Sequence, residues 1–176
     1  MVSALGLILV GASAARAHTP FSQWVVYRKK HLLIGAHRAD PRTYELAKSL
    51  AGILAQHLPK AKSRVARAPT AQRLASLIGT DQMDVAVLGK TDAIAMRDGA
   101  GHFKPYGRID LTMLAELDDH LLVAHTRFPE RHAWLVSAAL HESGIELQVD
   151  NPAGVALHPG SLSFVNGDPE PATNLE

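Results

Sequence analysis

The sequence predicts an α/β protein in which a mostly parallel sheet is flanked by helices. Short apolar runs of strand length alternate with helix-periodic segments in a β-α-β-α-β order, which closes parallel strands through right-handed crossovers. The third run, Asp84-Val85-Ala86-Val87-Leu88-Gly89, is apolar enough to be covered on both faces. A hydrophobic content of 47% over 176 residues is sufficient for one well-filled core.

Each element has its own signal. Leu32 to Ala36 reads as a buried strand. Asp40-Pro41 supplies an N-cap followed by Pro at the first helical position. Tyr44, Ala47, Leu50, Ala51, Leu54 and Leu58 then recur at helical spacing until Pro59. Ser63 to Ala68 is a second strand, and Pro69-Thr70 opens a helix with Leu74, Leu77 and Ile78 on one face. After the third strand, Thr91-Asp92 begins a short helix that ends at Asp98-Gly99. Gly99 to Arg108 reads as a polar loop. Leu111 to Ala115 and His120 to His125 are further strands, joined by a polar turn over Glu116 to Asp119. Pro129 to Glu142 is a helix, Ile145 to Val149 alternates like a strand, and Val155 to Val165 is apolar but interrupted by His158-Pro159-Gly160. Residues 169–176 read as a flexible tail, so 18–168 form the expected single domain.

The N-terminus carries an address. Leu5 to Val10 is apolar, small residues follow to Ala14, and Ala15-Arg16-Ala17 fits an A-x-A cleavage site. Residues 1–17 are therefore expected to be a signal peptide, which places the mature chain in the periplasm with His18 first. No Lys or Arg precedes the apolar run, which points to a start further upstream. The near-balanced formal charge of +1 argues against nucleic acid as a partner. With no cysteine, thiol catalysis, disulfides and Cys-based metal sites are excluded.

In an open parallel sheet, ligands bind beyond the carboxyl ends of the strands, against helix N-termini. The turns after the first three strands hold His37, Arg38, Arg42, Thr43 and Tyr44, then Thr70, then Lys90, Thr91 and Asp92. Free helix N–H groups together with Arg38 and Arg42 suit a carboxylate or other small anion. The same residues also serve as solvated turn arginines and plain threonine caps, and both readings stand at this point.

Ten histidines offer a second reading. Cleavage after Ala17 gives His18 a free α-amino group beside its imidazole, a pair that favours copper or zinc where thiolates are absent. No H-x-H or H-x-x-x-H spacing accompanies it, and His37, His102 and His132 are scattered. His120 and His125 fall on opposite faces of their strand, and His158 suits the H-P-G turn better than a metal. Motifs for enzymatic chemistry are missing: there is no G-x-S-x-G, H-E-x-x-H, P-loop or G-x-G-x-x-G, and a non-enzymatic role is expected. Asp118-Asp119-His120 and Glu116 fit a polar turn. The basic run from Tyr27 to His31, with Trp24 nearby, reads as a solvated arm.

The order of these segments resembles a known family. Ile34-Gly35 leading to Thr43-Tyr44, the Pro69-Thr70 to Leu77 helix, and Asp84 to Leu88 followed by Asp92 are similar to the TAXI-type solute receptors of TRAP transporters, within the type II periplasmic-binding-protein fold. Arg108 to Leu114, Leu121 to Ala124 with Phe128-Pro129, and Leu157-His158-Pro159-Gly160-Ser161 continue the family's order. The family's Gly-Gly pair before Thr-Tyr is replaced by Pro41-Arg42, and the chain is about half a receptor's length. The resemblance implies one receptor lobe without its second. It implies a periplasmic solute-binding or accessory role, a small anionic solute without a cofactor, and transporter membrane subunits or a second copy as partners.

Overall fold

A computed structural model describes residues 31–148 and 154–172. The expected signal peptide, His18, the segment from Trp24 to Lys30 and the last four residues of the expected tail lie outside these.

Strand β1 (Leu33–His37) is buried along its whole length. Helix α1 (Pro41–His57) follows, with the Asp40 side chain accepting from the Arg42 N–H as its N-cap. Its Thr43, Ala47, Leu50 and Leu54 face inward, at the spacing the sequence predicts. A 3-10 turn (Pro59–Ala61) leads to β2 (Arg64–Ala68), and Thr70 caps α2 (Ala71–Gly79) by accepting from the Arg73 N–H. Strand β3 (Val85–Gly89) passes directly into α3 (Lys90–Asp98), which Gly99 ends in the left-handed conformation at φ 62°. Strands β4 (Leu111–Leu117) and β5 (His120–His125), then helices α4 (Glu130–Glu142) and α5 (Pro159–Val165), complete the fold.

The sheet order is β2-β1-β3-β5-β4. β1 is parallel to both β2 and β3, whereas β5 is antiparallel to β3 and to β4. β4 therefore points the same way as β1 to β3, and the expected mostly parallel sheet is present with β5 as its reversed member. One face packs on α2 and α3, where Leu74, Ile78 and Met96 meet Leu88, Met113 and Leu121. The other packs on α1 and α4, where Leu50, Leu54 and Leu140 meet Ile34, Val87 and Leu122. Each such leucine contributes roughly 1.5–3 kcal/mol through burial.

Four local expectations are corrected. The stretch from Gly99 to Arg108 is not simply polar loop. It winds as a 3-10 helix (Gly101–Tyr106) that inserts Phe103, fully buried, beneath α2 and α3. Glu116 belongs to β4 rather than to a turn, so the turn narrows to Asp118-Asp119, with Asp118 at φ 55°. Ile145 to Gln148 forms no strand: the Ile145 N–H donates to the Leu140 carbonyl at 3.0 Å, closing α4, while Ile145 and Leu147 pack on the core. Val149 lies outside the described residues. Finally, the stretch from Val155 to Val165 ends in a helix.

That last segment returns to the sheet. Met113 donates to the Ala156 carbonyl and His158 donates to the Met113 carbonyl, both at 2.8 Å, alongside a parallel bridge between Met113 and Leu157. α5 then lies on α4, where Gly160 sits against the Glu130 carbonyl so closely that a Cβ would collide with it. Trp134 and Phe164 meet edge to face with centroids 5.3 Å apart.

Candidate functional site at the carboxyl edge of the sheet

The chain direction reverses between β1 and β3: it leaves β1 for β2 on one side and returns past β1 to β3 on the other. Such a switch point opens a crevice at the carboxyl ends of the strands. His37 closes β1 and Gly89 closes β3, so these two residues define the crevice. β5 starts at the same edge because it runs backward, and His120 pairs in register with Gly89.

His37 is only 2% exposed, and neither ring nitrogen has a hydrogen-bond partner among the described residues. Burial lowers its pKa below the ordinary imidazole range, Asp40 and Asp92 pull it back up in part, and His120 lowers it further. The ring is thus neutral at neutral pH, with one N–H to donate and one lone pair to accept. Leaving such a group unpaired costs about 1–3 kcal/mol.

Around it stand pairs of acid and base. Asp40 accepts from the Arg42 N–H at 3.0 Å through one oxygen and lies 2.8 Å from His120 Nε2 through the other. Burial works to raise the Asp40 pKa, but the His120 hydrogen bond and charge, with the Arg42 N–H, outweigh it and hold the carboxyl below its usual range. Asp92, in the first turn of α3, lies 3.4 Å from His102 Nε2. Lys90 donates to Glu116 Oε1 at 2.5 Å, while Glu116 Oε2 is buried without a partner among the described residues. Among the described residues no side chain caps α3, whose N-cap is Gly89; the Lys90 N–H donates to the Asp119 carbonyl at 2.9 Å, and the next N–H groups with the partial positive charge of the helix lie at this edge.

The residues expected at the site divide into those that meet and those that do not. His37 and Asp92 come together at the switch point. Thr43 lies close by but is fully buried. Its hydroxyl accepts from the His37 N–H at 3.1 Å and lies 2.7 Å from the Asp40 carbonyl, so it holds the β1–α1 turn. Thr70 is occupied as the cap of α2, and Tyr44 lies beneath the Arg67 guanidinium at 4.3 Å, toward β2. Arg38 and Arg42 are exposed at the lip, where the Arg38 N–H also ties β1 to the Ala68 carbonyl at 3.0 Å. Thr91 is exposed in the first turn of α3.

Sequence reasoning passed over Asp40 and His120 as site members and placed Glu116 in a turn. The signal for Asp40 and His120 was the strand order, since a reversed β5 contributes its first residue to this edge. Among the described residues, no three His, Cys, Asp or Glu side chains form a group able to hold a metal ion. His158, likewise, is taken up by structure: its Nδ1 accepts from the Gly160 N–H at 3.1 Å and its Nε2 lies 2.9 Å from the Phe128 carbonyl.

The fold and this edge define an α/β protein with an open mixed sheet, four of whose five strands point one way, and a cluster of polar side chains at its topological switch point. Compared with known proteins, the sequence matches no family model and no curated protein. Among the described residues, no helix is long and apolar enough to cross a membrane.

Proposed function

We propose that this chain is an exported binding protein, a single receptor-like lobe that takes up a small carboxylate-bearing solute at the β1–β3 crevice, in a solute-binding or accessory role of the TRAP type. His37 carries the reading: a buried imidazole at the switch point whose two nitrogens have no partner among the described residues. A polar group of that kind costs stability and is offset when a ligand supplies its partners. The N-terminus of α3 and the exposed Arg38 and Arg42 favour a carboxylate at this edge, with Lys90 held by Glu116 beside them. Asp92, in that same first turn of α3, repels a carboxylate there and so directs it toward Arg38 and Arg42. The order of segments and the C-terminal return alongside β4 support the receptor-lobe reading.

The test is calorimetric titration of the mature chain with succinate and malate, paired with amide chemical-shift mapping. Binding in the range of about 1 μM to 1 mM is expected for a crevice open on one side. Shifts should centre on His37, Lys90 and Asp92, and binding should disappear in His37→Leu. Absence of any shift at those residues at ~10 mM solute, a concentration well above that range, overturns the reading.

A further inference from the structure

Strand β2 is an edge of the sheet, and its outer side is unusual in charge. From Leu46 to Thr80 the sequence contains no Asp or Glu, although it carries Lys60, Lys62, Arg64, Arg67 and Arg73 on and around β2. All five are exposed. Among the described residues none of them forms an ion pair. Arg67 stacks on Tyr44, Arg64 reaches the Ser63 carbonyl at 3.5 Å, and Arg73 reaches Ser76 Oγ at 3.4 Å. The rest of the chain therefore carries the compensating acid, and the near-zero net charge conceals a strongly basic edge.

The ladder fixes which backbone groups are free. Arg64 donates to the Leu32 carbonyl and Ala68 accepts from the Arg38 N–H, so Arg64, Ala66 and Ala68 turn their backbone groups toward β1. In a parallel ladder the alternate residues, Val65 and Arg67, then present their N–H and C=O groups outward. Among the described residues no strand pairs with that side. Beside it lies a groove of about 350 Å³ lined by Leu33, Val65, Ala66, Leu77 and Met83, together with Arg67 and Ala68.

We infer that the β2 edge is a docking site for an extended acidic peptide segment of a partner protein, which adds as a sixth strand. Val65 and Arg67 supply the main-chain hydrogen bonds, alternate apolar residues of the segment enter the groove, and its carboxylates meet Arg64, Arg67 and the flanking lysines. Charge selects this occupant. A second copy pairing through the same edge would set arginine against arginine, which is destabilising. A lipid surface would use the cations but neither the directional backbone groups nor the apolar groove.

The probe is a synthetic peptide of about seven residues alternating Glu and Val, labelled for fluorescence anisotropy and titrated into the full chain. A lysine-for-glutamate version and vesicles of phosphatidylglycerol serve as controls. Saturable binding that falls with salt is expected, with slowed amide exchange at Val65 and Arg67. Arg67→Glu should weaken it by about tenfold or more, as expected when an attractive contact becomes repulsive. Val65→Pro removes an outward N–H without touching the β1 ladder and should abolish it. Equal binding of the lysine peptide, unchanged exchange at Val65 and Arg67, indifference to Arg67→Glu, or binding to vesicles alone overturns the inference. Since Arg67→Glu is an exposed change, it remains informative if Val65→Pro fails to fold.

Discussion

Two histidines are equally buried at opposite edges of the sheet and are treated in opposite ways. His158 is 0% exposed and uses both nitrogens: one accepts from Gly160 and the other bonds the Phe128 carbonyl, joining the start of α5 to the turn that precedes α4. His37 is 2% exposed and uses neither among the described residues. Burial lowers the pKa of each, and at His158 the Phe128 bond and Glu130 oppose it without cancelling it. Equal burial with unequal satisfaction separates a residue that holds the fold from one whose hydrogen-bonding capacity is left for something else.

Substitutions at and around the two rings separate these roles. The largest effect is expected at Gly160→Ala, where the new methyl would collide with the Glu130 backbone on α4. A loss of about 3 kcal/mol or more in urea unfolding is expected, because backbone cannot yield as a side-chain tip can. Next comes His158→Ala, which strands the Gly160 N–H and the Phe128 carbonyl and leaves a cavity, at a cost of about 2–4 kcal/mol. A loss below 1 kcal/mol, smaller than the removal of one buried hydrogen-bond partner, would remove His158 as the structural half of the comparison.

Acid should act on both edges at once. His37, His125, His132 and His158 all have pKa values lowered chiefly by burial. The unfolded chain therefore takes up protons near pH 6.5 while the folded one resists. Stability is fully present above about pH 6.5 and declines as pH falls below it toward the lowered folded values. Urea midpoints at pH 7.5 and 5.5 check the sign, and a midpoint that rises at the lower pH contradicts it. Asp40 adds a further loss at still lower pH, because its depressed pKa makes its contribution vanish as the carboxyl is protonated.

The smallest effect on stability is expected at His37→Leu. Replacing an unpaired buried ring with an apolar side chain should leave stability within about 1 kcal/mol of the parent, or raise it. If instead it destabilises as His158→Ala does, the two histidines belong to one class and the ligand reading of His37 fails.

Much of this was legible in the sequence, because local signals and tertiary outcome agree. Asp40-Pro41, Thr70 and the apolar spacing of α1 and α2 act within a turn or two of the chain, and each element sits where those signals place it. What escaped depends on distant partners. Phe103 in a Gly- and Pro-containing stretch is buried by helices that close over it, and nothing local announces that cover. Ile145 and Leu147 alternate like a strand, yet among the described residues they pair with no strand and lie on the core as coil. At the candidate site, His37 and Asp92 could be placed from the turns after β1 and β3. His120 could not, because its position depends on where β5 inserts.

That insertion has a mechanical consequence. The parallel strands β1 to β3 each pass into a helix, so lengthening their turns at the crevice would shift a whole helix on the core. β4 passes into β5 through two residues, Asp118 and Asp119, and the second supplies the carbonyl that accepts from the Lys90 N–H at 2.9 Å. The hairpin tip is thus an adjustable jaw on a fixed vice. Residues added there would reshape the mouth of the crevice while His120 stays paired with Gly89 and both hydrophobic layers stay in register, making this the natural point at which descendants of the fold could change what they grip.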